Sequence, residues 1–280
     1  LKFLILGSGG CVALPKPLCH CKICKEAREK GKPYSRFGCS LYLEDIGLLI
    51  DTPEDIVHAL NYSNVSQVNS VMFSHMDPDH TLGMRVFEHM RLNWLNVSEG
   101  IECQDPINVF AMEHVMCDIN SIGSVRGSFL DYYEETRNLI RRNSVRDQVY
   151  LNNIKITFIK IDSSTVFVFE DGNSKLIYAP CDTKPFPQND LFNNADVLII
   201  GNTFVGEVLK NDYVLSEENI LRKELFSMDE IQDLKNNYNI CKVIITHIEE
   251  DWGKSYDDYL HLQSNYNQIY FAYDGMKVIV

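Results

Sequence analysis

A chain of 280 residues that is 45% hydrophobic and 23% charged carries enough apolar surface for a packed core, which excludes an intrinsically disordered protein. Its formal charge of −13 argues against a nucleic-acid partner, because phosphate binding needs clustered Lys and Arg. No apolar run reaches the roughly 18 residues of a spanning helix, so no membrane partner is expected and a cytoplasmic protein is the default.

In chain order, residues 1–6 predict a buried first strand, with an initiator methionine missing, and Gly7-Ser8-Gly9-Gly10 a sharp turn. The glycine spacing is not G-x-G-x-x-G, so a dinucleotide is not expected there. Three of the nine cysteines fall within Cys19-His20-Cys21-Lys22-Ile23-Cys24. That spacing suits a metal clip in a reduced compartment better than a disulfide framework. A helix over 25–30 follows, then a hairpin of strands 40–43 and 47–51, a helix over 53–61 and a strand over 68–74. A helix from Thr81 to Trp94, a strand over 107–112 and a helix over 129–142 come next, placing Arg141, Arg142 and Arg146 at a solvated helix end. Strands are expected at 155–161, 166–170, 176–178, 197–200 and 242–246, with helices at 228–238 and 256–263. Strands 268–273 and 276–280 read as a closing hairpin around Asp274-Gly275. Such a mixture of hairpins and helices over one domain, 1–280, predicts two sheets in contact with helices outside.

The densest chemistry lies in His75-Met76-Asp77-Pro78-Asp79-His80. Side chains alternate on an extended segment, so His75, Asp77 and Asp79 can project to one side while His80 reaches a second point. Nitrogen and oxygen donors at that density call for a cation among them. Five apolar strands also finish in a single Asp or His: Asp51, His75, Asp162, Asp182 and His247. Asp51 alone would read as a polar cap. Taken together, strand ends at one rim are rigid places from which to aim ligands at a binuclear metal site.

The succession of glycine loop, Leu49-Ile50-Asp51, His75-x-Asp77-x-Asp79-His80, Asp182, Thr246-His247 and Tyr273-Asp274-Gly275 resembles the metallo-β-lactamase fold over nearly the whole chain. The loop Cys19-x-Cys21-x-x-Cys24 narrows the likeness to the branch containing phosphoribosyl 1,2-cyclic phosphate phosphodiesterase. The pyrroloquinoline quinone biosynthesis protein B is another relative with this loop. The resemblance implies an α/β (α+β) fold, a four-layer αββα sandwich with its metal site at the edge between the sheets. It assigns His75 and Asp77 to a first metal, Asp79, His80 and His247 to a second, and Asp182 to a bridge between them. Asp51 would orient a ligand from behind. Asp77 stands where the family has a histidine, and the histidine expected near residue 161 is absent, with Asp162 the nearest candidate. These departures give a harder donor set and favour manganese or iron over zinc, or weak occupancy of that first site.

Cys19, Cys21 and Cys24 would hold one structural zinc. Its fourth ligand stays open between Glu250, where the family has a histidine, and His20. By the same resemblance the chain is a metal-dependent hydrolase that attacks a small, cyclic phosphodiester with a metal-activated hydroxide. Asp79 and Asp182 would fix that nucleophile or move its proton. Lys184, Lys254 and the start of the helix at Thr81 are candidate contacts for an anionic substrate. Three other readings remain: a hydrolase of another ester, lactone or amide; a non-hydrolytic metal-binding accessory protein with a degenerate first site; and a nuclease, which the charge and the absence of a basic arm disfavour. A homodimer is also left open.

Overall fold

The computed structural model describes residues 1–280. Two seven-stranded sheets and a two-stranded ribbon make up its β-structure. Across the first sheet lie Lys277–Ile279, Lys2–Gly7, Ser40–Leu43, Leu48–Ile50, Ser70–Met72, Ile107–Met112 and Ile140–Val145. Across the second lie Ile269–Phe271, Lys242–Ile245, Val197–Ile200, Lys175–Ala179, Ser164–Glu170, Ile154–Ile161 and Gln148–Leu151.

Alternation along the strands explains why the sheets stack and why helices cover them. In Ser164–Glu170, Phe167 and Phe169 enter the core between the sheets, while Val166 and Val168 face away. Tyr178, Val197, Ile199 and Ile244 follow the first pattern; Ile177, Leu198, Ile200, Val243 and Ile245 follow the second. A strand apolar on both faces must be covered on both. The outward set meets Met228 and Ile231 of the helix Met228–Asn237 and Tyr259 of the helix Tyr256–Gln263. Phe3 and Phe169 join the two sheets edge to face, ring centroids 5.2 Å apart. The product is the expected α/β, αββα sandwich. No helix is long and apolar enough to cross a membrane.

Each sheet has an antiparallel part and a parallel part. The polar residues singled out in the sequence gather beyond the carboxyl ends of the parallel strands, where open α/β sheets generally bind their ligands. Asp51, Asp182, Asn202 and His247, each just past such an end, have φ of 63°, 51°, 49° and 52°. Left-handed backbone at a non-glycine residue costs of order 1–3 kcal/mol and is concentrated where side chains must be aimed.

Four expectations are corrected. The helix over 81–94 is three short ones, Pro78–Thr81, Val86–Arg91 and Trp94–Ser98. It breaks because Gly83 donates to the Thr52 carbonyl at 2.8 Å, so close that a Cβ on Gly83 would lie 2.0 Å from the Pro53 oxygen. His80 and Asp79 therefore lie inside the first short helix, too short to act as a dipole site. The helix over 129–142 stops near Thr136, and Ile140–Val145 is a strand paired in parallel with Ile107–Met112. Arg142 is no helix end: Asp131 takes its Nη1 at 2.6 Å and Glu134 its Nε. Strands Ile269–Phe271 and Lys277–Ile279 form no hairpin, because they belong to opposite sheets. Asp274 fastens that crossover, accepting from Ser8 N at 2.9 Å and Phe37 N at 2.7 Å. Finally, the helix expected over 25–30 begins at Lys22, which puts Cys24 in its first turn.

Candidate metal centre

Two anchored histidines define one wall of the centre. Asp51 is fully buried and accepts from Ser74 N at 2.8 Å and Ser74 Oγ at 2.6 Å. His80 Nδ1 donates to the same carboxylate at 2.9 Å. With its own proton committed to Asp51, Ser74 Oγ accepts from His75 Nδ1 at 2.9 Å. Both rings are thereby fixed in the tautomer that leaves Nε2 bare. Thr52 N donates to the His80 carbonyl at 2.7 Å, and Thr81 Oγ1 to the Met76 and Asp77 carbonyls at 2.9 and 3.0 Å. The donor loop is thus tied to the Asp51 loop.

His247 closes the opposite wall. Its Nδ1 lies 3.3 Å from Glu249 Oε1, and its Nε2 3.3 Å from Asp79 Oδ2. The same Asp79 oxygen is 3.5 Å from His80 Nε2, and the His80 and His247 rings stack with centroids 5.3 Å apart. Asp79, His80 and His247 offer donor atoms within 4.8 Å of one another, as do His75, Asp77 and Asp182. The structure does not bring Asp182 into the first of these groups. Its carboxylate is exposed and takes Asn202 Nδ2 at 3.4 Å. Asp162 is exposed in the turn after Ile154–Ile161 and joins no donor group.

Three residues escape the sequence reading. The buried thiol of Cys181 groups with His75 and His80, again within 4.8 Å. Glu249 backs His247 and takes Cys11 N at 3.0 Å. Asn202 positions Asp182. Cys181 was visible as the residue before Asp182, but a thiol at a strand end gives no local signal. Conversely, the two lysines suggested for an anion are engaged elsewhere. Lys184 Nζ donates to Arg222 O, Leu225 O and Glu230, and Lys254 Nζ to Val208 O and Trp252 O.

The donor set fits a divalent ion. His75 Nε2, Asp79 Oδ2, His80 Nε2 and His247 Nε2 are all buried, and none makes a well-formed hydrogen bond; the 3.3 and 3.5 Å approaches of Asp79 Oδ2 to His247 and His80 are contacts within the group itself. Such atoms are expensive to bury unsatisfied. Electrostatics point the same way. Burial would drive protons off His80 and His247, yet Asp51 beside the first, and Cys181 and Asp79 beside the second, raise both above the usual imidazole range. Burial would raise the Asp79 carboxyl and the Cys181 thiol, but the neighbouring imidazoles hold both well below their usual values. The pocket stabilises positive charge, and its anionic groups are disposed to surround it.

A second cluster lies behind the Glu249 turn. Cys19, Cys21, Cys24 and Glu250 present four donor atoms within 4.8 Å of one another. Glu250 Oε1 is 3.7, 3.2 and 3.1 Å from the three sulfurs in that order, whereas His20 is exposed. Four convergent donors are what a closed structural zinc site requires. Burial raises the Cys24 thiol, and opposes the ionisation of Glu250, but Lys210 lowers the Glu250 carboxyl to about 2. Lys210 Nζ lies 2.7 Å from Glu250 Oε2 and 3.5 Å from Cys19 Sγ. The turn from His247 to Glu250 therefore supplies donors to both clusters, His247 and Glu249 to one and Glu250 to the other.

No family model matches the chain, and no curated protein does. Solved structures do. Zinc-bound PqqB from Methylobacterium extorquens superposes with a TM-score of 0.74 at 17% identity, covering 100% of both chains. A diphosphatase from the PhnP family gives 0.72 at 14% identity, covering 100% of this chain and 97% of that one. The metallo-β-lactamase fold protein YhfI from Bacillus subtilis gives 0.63 at 12% identity, covering 99% of each. This chain has the metallo-β-lactamase fold. In that fold the rim where the two sheets' parallel strands end is the place where the His75–His80 loop, residues 181–182 and His247 meet.

Proposed function

We propose that this metallo-β-lactamase-fold chain is a metal-dependent hydrolase of a small anionic phosphodiester. One observation carries the reading: four buried donor atoms, on His75, Asp79, His80 and His247, converge with no well-formed hydrogen bond and no partner outside their own group. His75, Asp77 and Asp182 would hold one ion, and Asp79, His80 and His247 another. Divalent ions bound there supply Lewis acidity and bring the pKa of water from 15.7 toward about 7. The protein's own groups do the positioning. Asp51 and Ser74 keep both imidazoles in the ligating tautomer. Asp182, exposed and steadied by Asn202, is placed to take a proton from the attacking water at its carboxylate. Lys184 and Lys254 are occupied, so a chain of charge −13 depends on the centre itself to attract an anion. Likeness to a diphosphatase from the PhnP family supports phosphoryl chemistry over the hydrolysis of a lactone, ester or amide. Cys19, Cys21, Cys24 and Glu250 would hold a separate structural zinc.

A second reading has its own support. Asp77 and Asp182 are both exposed, so the His75 half is weakly walled, as a non-hydrolytic accessory protein with one working metal position would be. Metal-loaded protein assayed with bis(p-nitrophenyl) phosphate separates the readings. Hydrolysis that disappears in His80→Ala supports the hydrolase. No hydrolysis by the loaded wild type favours the accessory protein, and undiminished hydrolysis in the variant removes His80 from the mechanism.

A further inference from the structure

The departures from the family pattern, Asp77 for histidine and no histidine near residue 161, make the His75 side look oxygen-rich. The structure puts sulfur there. Cys181 is buried, and its Sγ lies within 4.8 Å of donor nitrogens on both His75 and His80. The sulfur's contact with Asp182 Oδ1 is long, at 3.9 Å. The histidines around it are 1%, 0% and 4% exposed for His75, His80 and His247, and each has an unpartnered Nε2. Cys181 thus spans from the His75 group to the Asp79–His80–His247 group, whereas Asp182 groups only with His75 and Asp77.

The backbone arrangement that brings sulfur to this point is specific. Gly201 lies so close to the ends of two neighbouring parallel strands that a Cβ there would be 1.7 Å from the Pro180 oxygen and 2.8 Å from the His247 Cβ. Only glycine lets the segment 180–182 approach His247 so tightly.

We propose that the Cys181 thiolate, not a carboxylate of Asp182, is the ligand shared between the two halves of the centre, and that it makes the centre select zinc over manganese. The proposal rests on the reading of the centre as a metal site. Thiolate is a soft donor that suits zinc, at a zinc–sulfur distance of about 2.3 Å, while manganese favours carboxylate, carbonyl and water. Asp182 then stays with His75 and Asp77 on the open side, where its exposed carboxylate can exchange a proton with water.

The test uses the full chain loaded with cobalt(II) or zinc, comparing wild type, Cys181→Ser, Cys181→Asp and Asp182→Asn, with circular dichroism as the check on folding. Sulfur-to-cobalt charge-transfer absorption from the Cys19–Cys21–Cys24 cluster should persist in every variant. The additional absorption from the centre should vanish in Cys181→Ser and survive in Asp182→Asn, and the serine variant should lose about one zinc per chain. Cys181→Asp, which keeps a ligand of harder character, should retain metal and shift the zinc–manganese competition toward manganese by about tenfold or more, or about 1.4 kcal/mol. Unchanged absorption and zinc content in Cys181→Ser, or an unchanged competition in Cys181→Asp, would overturn the proposal. A wild-type protein that binds no ion beyond the cysteine cluster would overturn the metal reading itself, and this proposal with it.

Discussion

On one side of the centre, Asp79, His80 and His247 stand in the protein interior with carboxylates behind them: Asp51 on His80 and Glu249 on His247. On the other, His75 leans on the Ser74 hydroxyl, and its carboxylate neighbours face solvent. The side chain of Asp79 is 16% exposed and that of Asp77 53%. The difference teaches where precision is kept. The buried side has its candidate donors held by second carboxylates in a water-poor setting, where electrostatic contacts are strong. The open side has room for a substrate and for exchange of protons with water.

Substitutions can break that contrast, beginning with its buried side. His247→Ala removes the imidazole from the Asp79–His80–His247 donor group, so phosphodiester hydrolysis should fall to the level of metal-free protein in a steady-state assay. Asp51→Asn leaves every candidate donor in place but weakens the acceptor for His80 Nδ1. Metal affinity should drop by about 10–100-fold, read by zinc titration against a chelating dye. Asp77→Asn, on the solvent side, should change the same affinity by less than about tenfold; an equal effect from Asp51 and Asp77 would erase the distinction between the halves.

A scaffold carboxylate sharpens the comparison from outside the centre. Asp274 is buried, and burial raises its carboxyl from 3.8 to about 6 against the pull of Phe37 N–H and nearby cations. The folded protein therefore holds a proton at Asp274 where the unfolded chain has lost it. Its contribution to stability is fully present below about pH 3.8 and is lost as pH rises through about 6. The stability of wild type relative to Asp274→Asn should fall across that window and level off above it, measured by urea unfolding at a series of pH values. A flat difference would show that Asp274 keeps an ordinary carboxyl.

Much of this was legible in the chain. The His75–His80 loop reveals itself because its donors are neighbours in sequence, and the strand alternation that stacks the sheets is a local pattern too. What stayed hidden depends on partners distant in sequence. Nothing near Gly83 announces that it must abut Pro53, so local periodicity extends the helix past the point where that contact ends it. Ile140–Val145 becomes a strand only because Ile107–Met112 offers it an edge. Asp274-Gly275 signals a turn correctly but cannot say that the turn leads from one sheet to the other. Asp162 resembles Asp182 as a strand-ending carboxylate, yet only the latter sits beside other donors. For Cys181 the local chemistry is silent, and its place among three histidines follows from the register of strands that meet at Gly201.

The central claim is that buried lone pairs on the His80 side exist to hold an ion. Elemental analysis of wild type and His80→Ala, each equilibrated with zinc, passed through a desalting column and shown to be folded, addresses it directly. The wild type should carry more metal than the single ion attributable to Cys19, Cys21, Cys24 and Glu250, and the variant should fall toward that one. Equal metal content in the two proteins would contradict the account.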